Sequence, residues 1–288
     1  MLASDRSRKT YWPPRRSICL TQTAVFALAA LLTAATPSLA DYWFLGVGNE
    51  GYMDDVDGLF TALTQADNWQ EGGDVHSWLH EDRSGSEVLD DLFWLTWLPS
   101  STDVVVFYYS GHGTQELDWG FDEIDLYDEC IGMTGAVCTD DEIADELRWL
   151  PSTVPLVAIF DTCHAGGMTG GWDDLDTLPN AFVMMSCAED ESSYGGWPYS
   201  EFTGHLVDGI TWNGNGFPAD QWWPGGNGDG AVTLNEWFAY ADRYTLGQSP
   251  QFCDTNGLGS LVIATPEPAT VCLLGAGALS ILLRRGRR

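Results

Sequence analysis

Val104-Val105-Val106-Phe107-Tyr108-Tyr109-Ser110-Gly111-His112-Gly113 is an apolar run that ends in a histidine between two glycines. A second run, Leu156-Val157-Ala158-Ile159-Phe160, opens into Asp161-Thr162-Cys163-His164-Ala165-Gly166-Gly167. Short runs rich in β-branched and aromatic residues, without polar alternation, mark strands buried on both faces, as in a parallel sheet. Tyr42 to Val47 and Ala181 to Ser186 read the same way. Amphipathic stretches fall between and after them: Val56 to Thr64, Ser86 to Leu98, Asp140 to Leu150, Phe202 to Thr211 and Leu234 to Tyr244. The alternation predicts an α/β fold with a mainly parallel central sheet flanked by helices. Thr139-Asp140-Asp141-Glu142 supplies a helix start, with Thr139 placed to cap and Glu142 placed to reach back.

Working residues of open α/β sheets cluster beyond the carboxyl ends of strands. Two predicted strand ends carry reactive groups, and adjacent parallel strands would bring His112 and Cys163 together although they are far apart in sequence. A thiol attacks a carbonyl as thiolate, and a neighbouring imidazole both promotes that form and protonates the departing amine. The pattern predicts Cys163 as nucleophile and His112 as general acid and base. The amides of Gly113 and Cys163 are the candidate donors to a developing oxyanion.

These two motifs together resemble the histidine and cysteine motifs of the metacaspases, the bacterial, plant and protist branch of the caspase-like peptidases. The resemblance extends over most of residues 42 to 245. It includes Asp125-Leu126-Tyr127-Asp128-Glu129, similar to the family's Asp-Gly-x-Asp-Glu segment, and the Thr139 to Glu142 segment. It implies a caspase-like sandwich, endopeptidase activity and cleavage after Arg or Lys. Recognition of a basic side chain needs carboxylates at the base of its pocket. By position, the resemblance implies Asp161, Asp57 and Ser110 for that role, with Asp54 standing where the family usually has a cysteine. It further implies calcium, held by Asp125 or Asp128 with Asp140 and Asp141. Clustered oxygens suit this hard cation, although a solvated acidic loop accounts for the same residues.

Outward from this centre, the two ends read as addresses. Arg6, Arg8, Lys9, Arg15 and Arg16, the apolar run Ala24 to Ala35 and the small residues of Ser38-Leu39-Ala40 predict a secretory signal peptide over residues 1–40. Thr265-Pro266-Glu267-Pro268, the apolar stretch Ala269 to Leu283 and the arginines 284, 285, 287 and 288 occupy residues 265–288. That tail resembles the PEP-CTERM sorting signal of Gram-negative bacteria, which implies an exosortase-type partner and delivery to the cell surface or beyond. The alternative is a plain membrane anchor. Residues 41–264 are then one peptidase-sized domain.

Within that domain the only basic residues are Arg83, Arg148 and Arg243, whereas all but Asp5 and Glu267 of the 42 acidic residues lie there. Phosphate binding needs Lys and Arg clusters, so nucleic acid is excluded as a partner. Protein or peptide substrates with basic residues suit the charge. Five cysteines lie in the domain, an odd number for an oxidising compartment, and Cys130 and Cys138 are the pair spaced for a local disulfide. Gly225 to Glu236 matches an EF-hand at its third, fifth, sixth and twelfth positions but has Gly225 at the first, which offers no ligand side chain. A rival from another class is a catalytically silent, calcium-binding surface or matrix protein on the same fold. Cleavage of an Arg-containing peptide separates the two.

Overall fold

The computed structural model describes residues 40–266, apart from 71–72, 120–122, 124–125 and 223–224. Nearly all of the signal peptide and of the sorting tail, together with Asp125, therefore lie outside the described residues. Among those described, no helix is long and apolar enough to cross a membrane.

Eleven strands are described: β1 (Tyr42–Gly48), β2 (Val75–Glu81), β3 (Val104–Ser110), β4 (Gly113–Leu117), β5 (Tyr127–Met133), β6 (Ala136–Thr139), β7 (Leu156–Asp161), β8 (Ala181–Met185), β9 (Val232–Thr233), β10 (Gln251–Asp254) and β11 (Val262–Ala264). Six of them form the main sheet in the order β10-β8-β7-β3-β1-β2. All its pairings are parallel except that of β10 with β8. The expected α/β class with a mainly parallel sheet is borne out. A separate antiparallel sheet, β4-β5-β6, follows the histidine motif.

Every residue of β1, β3, β7 and β8 is buried, which is why their sequences lack polar alternation. Alternate residues divide between two cores. Phe44, Val106 and Tyr108 face helices α1 (Met53–Thr64), α4 (Glu201–Ile210) and α5 (Leu234–Tyr244), through Leu59, Leu206 and Trp237. Leu45, Val105 and Phe107 face α2 (Gly85–Trp97) and α3 (Asp140–Leu147), through Val88, Leu92, Ile143 and Leu147. Helix α3 begins where its capping sequence predicts. The Glu142 amide donates to Thr139 Oγ1 at 3.2 Å, and the Thr139 amide donates to Glu142 Oε2 at 3.2 Å.

No disulfide joins Cys130 to Cys138, and both thiols are free. Strand register explains this: Cys130 lies opposite Thr139 and Cys138 opposite Ile131, so the two side chains leave opposite faces of the small sheet. Cys187 is buried, as its apolar neighbourhood predicts.

Candidate active site

In the register of β3 against β7, Ser110 stands opposite Asp161. His112 and Cys163 each lie two residues beyond that matched pair, at the carboxyl edge of the sheet. The segments touch through Gly113, where a Cβ would lie 2.2 Å from the Cys163 carbonyl oxygen and 2.4 Å from Thr162 Oγ1. Only glycine permits this approach. Beyond Cys163 the chain turns through His164, a non-glycine residue at φ 61°. That turn is held by the His164 amide, which donates to the Glu191 carbonyl at 2.9 Å. Cys163 is half-buried and free, with Sγ 4.0 Å from the Ser193 carbonyl oxygen.

His112 projects from the sheet edge with 60% of its side chain exposed. Its Nε2 is 3.5 Å from Glu50 Oε2, and the Tyr52 ring stands edge-on at 5.8 Å. Glu50, itself at φ 56°, is fixed from two sides. Its amide donates to Asp82 Oδ1 at 2.7 Å, and its Oε1 accepts the Thr134 amide at 3.3 Å. The Thr134 contacts, followed by the charge of His112, hold this carboxyl below the usual range. Sequence inspection alone missed Glu50, which lies in a turn whose left-handed backbone no local pattern announces.

Beside His112 opens a cleft of ≈ 470 Å³, walled by Glu50, Tyr52, Asp54, Asp55 and the 195–198 segment. Its acidic wall corrects one expectation. Asp57 is exposed on the outer side of α1, while Asp55, two positions earlier, is buried and lines the cleft. A helix turns about 100° per residue, so residues two apart point to nearly opposite sides. Asp55 accepts from Ser110 Oγ at 2.6 Å, the Ser200 amide at 2.8 Å and Ser200 Oγ at 2.5 Å. Ser110 is fully buried and meets the cleft only through its hydrogen bond to Asp55. Asp161 is also buried but does not line the cleft. Its oxygens accept from Ser193 Oγ at 2.6 Å, Thr203 Oγ1 at 2.7 Å and the Thr203 amide at 3.1 Å. Burial raises both carboxyls above their ordinary range, hydrogen bonding opposes the rise, and the charge of Asp55 adds to it at Asp161.

The acidic residues expected to bind calcium are only partly gathered. Oxygens of Glu123, Asp140 and Asp174 lie within 4.8 Å of one another. Asp128 and Asp141 stand outside that set, and Asp125 is not among the described residues. Glu123 and Asp174 were not legible in advance because they sit on separate loops that only the fold brings to α3. Asp140 Oδ2 is buried without a hydrogen-bond partner. Burial first, then the charges of Asp174 and Glu129, push its carboxyl up to about 10. In the EF-hand-like loop, Asp220 organises the turn by accepting the amides of Gly228, Asp229 and Gly230 at 2.9–3.0 Å.

A parallel sheet with a histidine and a cysteine just beyond the ends of neighbouring strands, and a small antiparallel sheet between those strands in the chain, is the caspase-like class of fold. A Geobacter sulfurreducens protein of known crystal structure has a similar fold, with a TM-score of 0.52 and 18% identity over 80% of this chain and 96% of its own. Residues 50–170, which hold both motifs, match the family model of the metacaspase, peptidase C14 domain, and residues 264–288 match the PEP-CTERM protein-sorting motif. The resemblance to both is therefore borne out over those segments. Metacaspase-1 of Arabidopsis thaliana is 41% identical over 80 residues, 26% of this chain and 22% of that protein. Metacaspase-1 of Coccidioides immitis is 34% identical over 128 residues, 40% of this chain and 27% of its own length. A Trypanosoma brucei brucei protein named inactive metacaspase-4 is 29% identical over 136 residues, 38% of each chain. The chain thus aligns with less than half the length of these curated relatives.

Proposed function

We propose that this chain is an exported cysteine endopeptidase of metacaspase type that cuts after Arg or Lys. The observation that carries the proposal is the convergence, at one sheet edge, of a free half-buried thiol, an exposed imidazole and a cleft backed by the buried carboxylates Asp55 and Asp161. In this reading the Cys163 thiolate attacks the scissile carbonyl and the amides of Gly113 and Cys163 hold the oxyanion. His112 gives its proton to the leaving amine, and Glu50 orients the ring. The test is cleavage of Arg, Lys, Gln and Asp peptides by the purified chain beside a Cys163→Ala control. An enzyme that prefers Asp at P1 removes the specificity assignment. Glu50→Gln keeps the side-chain shape but removes the charge facing His112, and is expected to lower kcat with KM little changed. An unaltered kcat removes the orienting role.

Calcium fits the Glu123, Asp140 and Asp174 oxygens, because a buried, unpartnered carboxylate oxygen beside two more acids is what a hard cation compensates. Bound there, it would tie α3 to the loop that follows Cys163 and neutralise their repulsion. Asp140 has a folded-state pKa above its unfolded value, so its contribution to calcium-free stability is complete below pH ~4 and is lost as pH rises toward 10. Asp140→Asn is therefore expected to raise the calcium-free melting temperature at pH 7 to 8 and to abolish any rise on adding calcium. Melting curves with and without calcium, at several pH values, decide it. A mutant that still gains stability from calcium excludes this site.

The PEP-CTERM match supports export and surface sorting through an exosortase-type enzyme. Activation follows from charge: the loop from Gly166 to Pro179 contains no Lys or Arg. An enzyme restricted to basic residues cannot cut itself there, so the active form is expected to be uncut. Fragment mapping after incubation with calcium checks this, and efficient cleavage within that loop contradicts both the activation and the P1 assignments.

A further inference from the structure

We infer that the groove of ≈ 640 Å³ on the other side of His112 holds the leaving half of the substrate and favours a basic side chain there. This rests on the peptidase reading above and extends it to the residues after the cut. His112 lines both this groove and the carboxylate cleft. In acyl transfer to a thiol, the C–S bond forms, the C–N bond breaks, and the imidazolium proton goes to the departing nitrogen. The leaving amine must therefore lie at His112. With the P1 side chain in the cleft beside Asp55, the chain beyond the cut passes His112 and enters the groove.

Strand register shows how the groove is built. Glu116 pairs with Asp128, Thr114 with Cys130, and Gly132 with Val137, so these side chains share one face of the small sheet. Thr134, Gly135 and Ala136 close the groove at the β5–β6 turn. Gly132, at φ 122°, adds no side chain to the groove and lets β5 pack against the start of α2, since a Cβ there would lie 2.8 Å from the Ala136 carbonyl oxygen and 3.0 Å from the Gly85 amide nitrogen. Small walls leave room for a long side chain, whose methylenes can lie along Ala136 and Val137 with the charged end in water. Among the described residues no Lys or Arg lines the groove, whereas Glu116 does, exposed, with Asp128 across the ladder from it. Thr134 also anchors the Glu50 carboxylate. A cation is drawn to such a site and an acidic residue is repelled.

The test uses the purified full chain and peptides with Arg fixed at P1 and Leu, Lys or Glu placed in turn at P1′ and P2′. Values of kcat/KM are read from fragments by mass spectrometry. Lys is expected to exceed Glu by about fivefold at one of the two positions, the size of a solvent-accessible charge pair. Glu116→Lys is expected to invert that ratio, and Glu116→Gln to bring it near one should the reversal disturb folding. A chain that cuts after Arg with no Lys-over-Glu preference, or whose preference ignores both substitutions, overturns this inference alone. A chain that cuts no peptide removes the peptidase reading and this inference with it.

Discussion

Cys163→Ala is expected to abolish peptide cleavage, and His112→Ala to lower it by at least about 10⁴-fold, with the fold unchanged in both. The losses are large because the two groups act as one unit: without the thiol no acyl intermediate forms, and without the imidazole neither thiolate nor leaving amine is served. Folding tolerates both changes for a structural reason. Cys163 is only half-buried, and His112 exposes 60% of its side chain, so neither belongs to a core. Substitutions outside cores and caps are usually within ±~0.5 kcal/mol. Single-turnover assays with a thiol-reactive probe, beside melting curves, make the comparison. Turnover by folded Cys163→Ala at the wild-type rate would overturn the nucleophile assignment.

The second large effect concerns the cleft. Asp55→Asn is expected to lower kcat/KM for Arg peptides by about 10²- to 10³-fold while Gln peptides change little, since breaking one partner of a desolvated charge pair costs roughly 3–5 kcal/mol. Asp161→Asn should act in the same direction, and both substitutions should also lower stability, because each carboxylate accepts three hydrogen bonds and the NH₂ that replaces one oxygen cannot accept those made to it. Acidity sharpens the test. Both carboxyls are raised by burial, so they become neutral at a higher pH than ordinary carboxylates, and KM for Arg should climb as pH falls through that range. In the empty enzyme the sign is reversed: raised carboxyls favour the folded state when protonated, and that contribution is lost as pH rises. A pH-independent KM ratio between Arg and Gln peptides would remove these carboxylates from P1 recognition.

Sequence alone located the centre of the molecule and failed at its margins, for physical reasons. Strands β1, β3, β7 and β8 are buried on both faces, and continuous apolar runs announce that state directly. Strand β2 is an edge strand of intermediate exposure, and Val75-His76-Ser77-Trp78-Leu79-His80-Glu81 carries no such signal. Strands β5 and β6 lie in an acidic stretch that reads as a loop until its pairing is known. The proposed pair was legible because each member lies two residues beyond an apolar strand run, His112 between two glycines and Cys163 just ahead of Gly166-Gly167. Asp57 was misplaced because helical phase depends on which residues meet the core, and Val56 and Leu59 turn Asp55 inward. The Glu123, Asp140 and Asp174 cluster required two loops to meet, and no periodicity encodes that.

The three arginines of the domain are each engaged in the fold. Arg83 sits between Glu87 and Asp91, at 3.6 and 3.1 Å. Arg148 binds Asp145 at 2.5 Å, Thr177 at 2.9 Å and the Asp173 carbonyl oxygen. Arg243 lies in the last turn of α5. A protease reads an extended strand, so a neighbour can cut any of these bonds only after the target has locally opened. On the proposed specificity, self-digestion in a concentrated stock should then scale with the open fraction multiplied by the activity: a mild denaturant that raises the open fraction would shorten the useful life of the stock far more steeply than a doubling of activity, which would only halve it.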